Sequence, residues 1–433
     1  MTVYLRSLSL SMLFAAGLFM DVPAAYADSL KDSLSELVKA HKRILAAQAD
    51  TSAAREQVRI TLGDWFPTLD VTGSWGYEKQ NKPPGSDDTD LTPRKLDVKL
   101  TQQLWDFGSS NAGIRRARLT HEQAVKTEDA TRQSLLLEGI TAHLNLMRAN
   151  KLLQFAKGSE ANIKRQAELE DARVQRGAGF STDVLQAKTQ LAGANARRIQ
   201  AGGALQTALN RYRALFYKDP GDIAKMTEPR IPLELLPKSL NELTSLVIQG
   251  NPQLAASRIS ADIAREDINK TQADEFFPDL NAIAQEVRKV DEGGTSGSKM
   301  ERIVKVELSY NLNLGLTAIN TLRASELSHT ASVSRFGDTR DLVEEAALNA
   351  WYSLQTARDN AEQLHNQADI AAEFLELARK ERQLGNRSLL DVLAGETALI
   401  NASSDATSAD TDVTIVAFTL LSVMGKLSPN VVE

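Results

Sequence analysis

The residue types that most often bind metals or perform catalysis are few and scattered in this chain of 433 residues. There is no cysteine, which excludes disulfides, thiolate metal sites and a lipid-modified N-terminal cysteine. The five histidines lack the spacing of a metal site, and no nucleophile motif or phosphate-binding loop occurs. The sequence therefore predicts no enzyme, no metal and no cofactor. The histidines are His41, His121, His143, His329 and His365.

Two similar turns carry the other side chains whose spacing suggests a site. Each has a glycine, five further residues and then Asp-Val, at residues 177–184 and 385–392. Glycine after a long helix predicts a left-handed C-terminal residue, and Ser, Thr or Asp just beyond it predict the N-cap region of a returning helix. The sequence therefore predicts two helical U-turns with charged side chains near them.

The composition and the N-terminal sequence limit the partners and the cellular location of the protein. A net charge of -6 argues against nucleic acid as a partner, and a mean hydropathy of -0.28 argues against a bundle of membrane-spanning helices. Residues 1–27 have the pattern of a signal peptide, with Arg6, an apolar stretch at 8–20 and an Ala-Tyr-Ala cleavage site. An uncleaved anchor is the alternative, but the apolar stretch is short for a spanning helix. We expect a mature chain that starts near Asp28, outside the cytoplasm.

Hydrophobic periodicity in the first half changes from helical to alternating and back. Apolar residues at helical spacing predict one helix from Asp28 to Leu62, and Pro67 ends it. A region without proline then predicts a helix about 100 Å long, followed by the first U-turn. The other expected elements are strands at 69–78 and 95–104 around a loop at 81–93, the long helix at 111–176, a returning helix at 181–215 and a proline-rich connector at 217–237.

The second half repeats this order. Residues 251–266 align with residues 41–56, and Asn251-Pro252 predicts an N-cap followed by proline at the first helical position. We expect strands at about 279–290 and 304–314 around a loop at 291–298, a long helix to 384 and a final helix to 424. The predicted units are the signal peptide (1–27), a first structural repeat (28–215), an equatorial connector (216–240) and a second structural repeat (241–433).

The helices after the two turns carry heptad repeats. In the second of them a row of apolar residues is accompanied by a row of mostly small ones, which predicts coiled coils whose helices approach closely. Two shorter helices stacked end to end would have the same length as one long helix, which suggests a helical cylinder about 100 Å tall. An ordinary periplasmic coiled coil is the simpler interpretation, but it leaves the strands unexplained. The apolar row is Val392, Leu399, Ala406, Val413 and Leu420.

The strands have one apolar and one polar face. Val306 and Leu308 alternate with Lys305 and Glu307, and the first hairpin alternates in the same way. Four strands are too few to close a membrane barrel, but three copies would supply about twelve. Apolar-out and polar-in alternation suits a barrel with lipid outside and water inside. A soluble sandwich that buries its apolar face is the alternative.

The fold class that we predict is mainly α with a small β part. A long α-helical coiled-coil barrel would be joined to four strands per chain, which contribute to a trimeric twelve-stranded transmembrane β-barrel. The signal peptide and the length of the helices argue against the soluble sandwich.

The ordered set of features resembles the TolC family of outer-membrane factors across essentially the whole mature chain. It comprises the duplicated layout, Trp-Phe-Pro at 65–67, Phe-Phe-Pro at 276–278, Gln-Leu-Trp-Asp-Phe-Gly at 103–108 and the two Gly-x5-Asp-Val turns. The resemblance implies a homotrimer in the cell outer membrane, with its barrel in lipid above a large periplasmic tunnel. It also implies two partners, a periplasmic adaptor (membrane fusion protein) and an inner-membrane ABC or proton-driven transporter.

The resemblance also implies a periplasmic gate at the U-turns. Thr182 and Asp183 would accept hydrogen bonds from Arg387, and Asp391 would supply one aspartate per subunit to a ring in the lumen. Arg382 stands where the family archetype has a tyrosine, and the alanine three residues after Asp391 replaces a second lumen aspartate. We therefore expect a gate that relies on arginine–carboxylate pairing and carries a weaker acidic ring. A pair of exposed turn charges is the alternative for Arg387 and Asp183.

Two functional hypotheses follow. The first is a trimeric outer-membrane channel-tunnel that exports substrates from the adaptor and pump, in efflux or in type I protein secretion. The second is a periplasmic coiled-coil adaptor or scaffold of an export complex, although adaptors usually have a single helical hairpin and a β-rich lipoyl-like region. The cargo remains open between a small molecule and a protein.

Overall fold

The computed structural model describes residues 29–178 and 180–432, so the predicted signal peptide lies outside the described residues. Helices dominate the first half, and its strands follow the second helix. In chain order the first half contains α1 (Leu30–Ala40), α2 (Lys42–Gly63), β1 (Thr68–Trp75), β2 (Glu78–Gln80), β3 (Thr89–Leu91), β4 (Arg94–Trp105), α3 (Ser109–Gln175) and α4 (Ser181–Phe216).

The second half has the same order without the short β2–β3 pair. Two single 3-10 turns, Ile223–Lys225 and Leu233–Leu235, lie in the connector between the halves, as its prolines predicted. The mainly helical fold class with a small sheet is confirmed. The second half contains α5 (Leu240–Gly250), α6 (Pro252–Phe276), β5 (Asp279–Val290), β6 (Ser298–Ser309), α7 (Thr317–Gln383) and α8 (Leu389–Val423).

The prediction of one helix from Asp28 to Leu62 is wrong, because the chain breaks between α1 and α2. His41 has extended backbone angles, with φ of -71° and ψ of 132°, and its Nδ1 accepts a hydrogen bond from the amide of Arg43. Asn251 is the equivalent break between α5 and α6, where its side chain caps α6 as predicted. The histidine thus caps a helix that its periodicity did not separate from the preceding one.

Four strands form one antiparallel sheet in the order β1-β4-β5-β6. Lys99 pairs with Gln285, which pairs with Ile303, so these residues share the face that also carries Asp97 and Glu307. The opposite face carries the predicted apolar residues, and all of them except the half-buried Val98 are exposed in the chain. They are Leu69, Val71, Leu96, Val98, Leu100, Val304, Val306 and Leu308.

The last predicted strand is shifted toward its N-terminus. It was expected at about 304–314, whereas β6 ends at Ser309, which pairs with the first residue of β5, Asp279. Leu312 and Leu314 therefore lie beyond the strand and are exposed. The alternating sequence pattern continues past the last paired residue of β6. Such a pattern does not indicate where the partner strand begins, so it could not predict where the pairing ends.

The long helices α3 and α7 have 67 residues each and run the length of the helical layer, about 100 Å at 1.5 Å per residue. α3 packs against α2, α4, α6 and α8, whereas α7 packs against α5, α6 and α8. The layer therefore has α2 and α4 along one lateral edge and α7 along the other, with α3 inside it.

The largest apolar core lies at the middle of the long helices. It joins Leu34 of α1, Ile140 of α3, Leu243 of α5 and Phe418 of α8. Connector residues such as Ile223 pack against the same cluster. The short helices and the connector thus form a belt on one side of the helical layer.

His143 joins α3 to this belt. Its buried Nε2 lies 3.1 Å from the carbonyl oxygen of Thr227 in the connector. Burial lowers the pKa of His143 below its usual value, and the hydrogen bond to Thr227 opposes this only in part. The pKa of His143 is therefore lower in the folded chain than in the unfolded chain, so protonation of this histidine favours unfolding. The stability that neutral His143 contributes is lost as the pH falls below about 6.5.

We therefore expect acidification from about pH 7.5 to about pH 5.5 to speed amide hydrogen exchange in residues 217–237, after correction for the intrinsic pH dependence of exchange. His143→Gln should remove most of this pH sensitivity. His365→Gln is the matched control, because His365 lies on α7 and pairs with Asp410 of α8 and not with a connector residue. Equal pH sensitivity in the wild type and His143→Gln would contradict the prediction.

Candidate functional site at the helical tips

Both U-turns have the predicted conformation. Gly177 and Gly385 have φ angles of +77° and +82°. The amide after each glycine donates to the carbonyl five residues earlier, at 2.9 and 3.0 Å, which ends α3 and α7 with the same C-terminal motif. Ser388 then caps α8, whereas Phe180 occupies the N-cap position of α4 without a side-chain hydrogen bond. The predicted side-chain cap is therefore present only at the second turn.

Arg387 lies at the second turn and pairs within its own hairpin. Its Nε donates to Oε2 of Glu381 at 2.6 Å, and its guanidinium lies 5.3 Å from the ring centroid of Phe374. Thr182 and Asp183 occupy the first turn of α4 and make no side-chain hydrogen bond within residues 29–178 and 180–432. The chain by itself thus brings Arg387 to Glu381, and the implied link to the first turn remains a prediction.

Arg382 connects the two hairpins. Its Nη2 donates to Oε1 of Glu170 at 2.7 Å, and its Nη1 donates to the carbonyl of Arg387 at 3.1 Å. Only 5% of the Glu170 side chain is exposed, and this carboxylate also accepts from Arg173 at 3.2 Å. A buried carboxylate on α3 is therefore neutralised by an arginine on α7 at the position where the archetype has a tyrosine.

A second buried carboxylate lies farther from the turns. Glu396 of α8 is 4% exposed and pairs with Arg379 of α7, while Nδ2 of Asn162 on α3 lies 3.4 Å from its Oε2. Sequence reasoning missed Glu170, Glu381, Glu396 and Arg379. Glu396 lies four residues after Val392, the first residue of the apolar heptad row, and this position on the packed face of α8 is the signal that could have found it. A glutamate buried there needs a cation, which Arg379 supplies.

The Arg387–Glu381 pair leads to a specific expectation. In the gated channel that the resemblance implies, we expect Arg387→Ala and Glu381→Ala to raise conductance by similar amounts, and the double variant to add little, because both remove one bond. Each side chain is partly solvated, so the pair contributes about 1 kcal/mol. If Glu381 is the partner of Arg387, the conductance changes caused by Arg387→Ala and Asp183→Ala should be additive in the double variant. The measurement is single-channel recording in planar bilayers, and non-additivity with Asp183 instead would restore the link implied by the resemblance.

Asp391 lies on the exposed surface of the tip. Its backbone amide donates to Oγ of Ser388 at 3.2 Å, and its carboxylate is in the first turn of α8. A carboxylate at this end of a helix is favoured by the positive end of the helix dipole. The described helices lack a segment long and apolar enough to cross a membrane.

Comparison with known proteins decides the family. The sequence model of the outer membrane efflux protein family matches residues 33–216 and 243–426. The chain belongs to the outer membrane efflux protein family. Curated relatives of this family member include the outer membrane protein TolC of Vibrio cholerae serotype O1, which is 24% identical over 94% of this chain and 92% of the relative. The alkaline protease secretion protein AprF of Pseudomonas aeruginosa is 24% identical over 93% of this chain and 85% of the relative.

Solved structures have the same fold. The outer membrane protein VceC of Vibrio cholerae superposes with a TM-score of 0.78 at 19% identity, covering 92% of this chain and 96% of that one. The outer-membrane channel OprN superposes with a TM-score of 0.81 at 20% identity, covering 92% and 90%. This member of the efflux family is thus an outer-membrane channel protein with a large periplasmic part, and its family is one of transport channels.

Proposed function

We propose that three copies of this chain close into one export duct across the outer membrane. The observation that carries the proposal is the four-stranded sheet, whose edge strands are β1 and β6 and whose apolar face is exposed. A sheet with such edges and such a face is unstable in water. Pairing β6 of one copy with β1 of the next gives about twelve strands, which are enough to close a barrel.

The helical layer supports the same assembly. Its edge helix α7 exposes apolar side chains along its length, among them Leu327, Leu342, Tyr352 and Ile370. Packing this edge against α2 and α4 of a neighbouring copy would bury these side chains, at about 25 cal/mol for each Å² removed from water. The two structural repeats (28–215 and 241–433) would then alternate around the tunnel, with the connector (216–240) in its outer belt.

The tips of the hairpins would form the periplasmic gate of this duct. Arg382 and Arg387 hold the second turn, Asp391 supplies one carboxylate per chain to the lumen, and Thr182 and Asp183 lie where a neighbouring chain can reach them. A periplasmic adaptor and an inner-membrane transporter would dock here, open the gate and deliver cargo. This proposal includes no catalytic step in the duct, because the inner-membrane transporter would drive the movement of cargo.

The cargo is a small molecule or a protein. AprF is named for protease secretion, which supports a protein cargo, and the family name supports efflux. Expression in a cell that lacks its own channel separates the two, because efflux restores resistance to toxic compounds and secretion restores a protein in the medium.

Size measurement of the purified protein tests the assembly. Light scattering in a non-ionic detergent should give three chains per particle, and the protein should remain in the membrane fraction without detergent. A stable monomer that is soluble without detergent would rule out both the barrel and the tunnel, because it would have to bury the apolar sheet face by itself.

A further inference from the structure

A groove on the helical layer has the composition of a ligand site and lies outside both the proposed gate and the sheet. It lies between α3, α4 and α8 and encloses about 740 Å³. Pockets for drug-sized ligands have similar volumes, with mostly apolar walls and few polar groups. The apolar part of this groove is lined by Ala149, Leu152, Ala156, Ala201, Ala204 and Ile400.

The charge of the groove comes from arginines. Arg148, Arg197 and Arg211 line it, and its lining among the described residues includes no carboxylate. Arg148 and Arg211 are paired with Asp412 and Glu138, each at 2.7 Å. Arg197 differs, because its Nη2 is buried and has no hydrogen-bond partner in the described part of the chain. A guanidinium that lacks an acceptor in a partly buried place is unfavourable, so pairing of Arg197 with an anion in the groove is favoured.

The groove opens on the side of the layer away from the belt. His143 and Lys151 of α3 face the connector, through Thr227 and Glu228. With 3.6 residues per turn, Leu152 and Ala156 lie on roughly the opposite face of α3. In the proposed tunnel the belt is outside, and the groove therefore faces the lumen.

We propose that this groove binds an amphipathic anion, such as an acyl carboxylate, with its head group at Arg197 and its apolar chain along the alanines of α4. Such a site would hold amphipathic anionic cargo on its way through the duct. The inference rests on the proposed tunnel only for the direction in which the groove opens, because one chain forms the whole site. Binding without trimers would support the site and contradict the tunnel, so the two proposals fail separately.

A single cysteine provides the test, because the chain has none of its own. Ala204 lines the groove and is exposed, so a maleimide should label Ala204→Cys in protein held in lipid nanodiscs. We expect decanoate to slow this labelling about tenfold or more at saturation. Decyltrimethylammonium has a similar chain with the opposite charge and should have no effect. Ala196→Cys, on an exposed part of α4 outside the groove, controls for changes in reagent or bilayer.

Arg197→Ala in the Ala204→Cys background should raise the decanoate concentration for half protection by about tenfold or more, the usual effect of losing a charge-assisted hydrogen bond. Arg198→Ala is the matched control, because Arg198 is paired with Glu160 at 2.7 Å and does not line the groove. Arg197→Lys keeps the charge and should retain part of the protection, which separates loss of binding from misfolding. Protection by the cation or by sulfate alone, or protection that Arg197→Ala leaves unchanged, would overturn the proposal.

Discussion

Replacing Arg382 with alanine should open the periplasmic tip more than any other single substitution at the turns. The change leaves the carboxylate of Glu170 buried on α3 and removes the hydrogen bond from Arg382 to the carbonyl of Arg387. Loss of one partner of a fully buried ion pair costs about 3–5 kcal/mol. Because 24% of the Arg382 side chain is exposed and Arg173 still pairs with Glu170, we expect a smaller cost of about 2–3 kcal/mol per chain.

The resemblance implied that Arg387 holds the gate through Thr182 and Asp183, whereas within the chain it is Arg382 that joins the two hairpins. A loss of about 2–3 kcal/mol in each of three chains is enough to shift a gate that is closed more than about 99% of the time to one that is mostly open. Single-channel recording in planar bilayers should show higher conductance for Arg382→Ala than for Arg387→Ala. Arg387 pairs with Glu381 inside one hairpin, so its loss leaves the two hairpins connected.

Arg173→Ala is the matched control for Arg382→Ala. Arg173 also donates to Glu170, but it lies on the same helix and 52% of its side chain is exposed, so its loss leaves the bond between α3 and α7 in place. We expect little change in its conductance. If Arg382→Ala forms normal trimers and conducts like the wild type, the bond to Glu170 does not hold the gate closed.

Arginine at Val306 should prevent stable assembly in the membrane, whereas arginine at Ile303 should be tolerated. Val306 pairs with Ala282 on the apolar face, and Ile303 pairs with Gln285 on the face that carries Lys99. Arginine on the lipid face near the bilayer midplane costs about 2–4 kcal/mol, and three copies per barrel multiply this cost. In a water-filled lumen the same side chain remains hydrated.

These two substitutions are closely matched, because both replace a β-branched aliphatic residue in β6 and lie three residues apart. Urea unfolding in lipid vesicles measures the difference in free energy, and the amount of trimer in the outer-membrane fraction measures assembly in cells. Equal losses for the two variants would contradict the assignment of one face to lipid and the other to water.

Local sequence patterns determined most of the elements of this chain. The switch from helical to alternating periodicity predicted the strands, and the absence of proline predicted α3. Gly177 and Gly385 predicted the turns, since only glycine readily adopts a positive φ after a helix. The break between α1 and α2 could also have been predicted from the sequence repeat. His41 aligns with Asn251, and an N-cap at Asn251 indicates an N-cap at the equivalent position in the first repeat.

The tertiary structure decided which side chains meet. Arg382 and Glu170 are separated by 212 positions, and their contact depends on how the second hairpin is rotated and shifted against the first. Likewise the end of β6 depends on where β5 begins, and the exposed groove depends on the spacing of three helices. The sequence by itself determined the helices, the strands, the turns and the two faces of the sheet, because periodicity and glycine conformation act within a few residues. Only the packing of distant segments decided the partners at the tip and around Arg197, because those contacts join faces whose relative orientation no local pattern encodes.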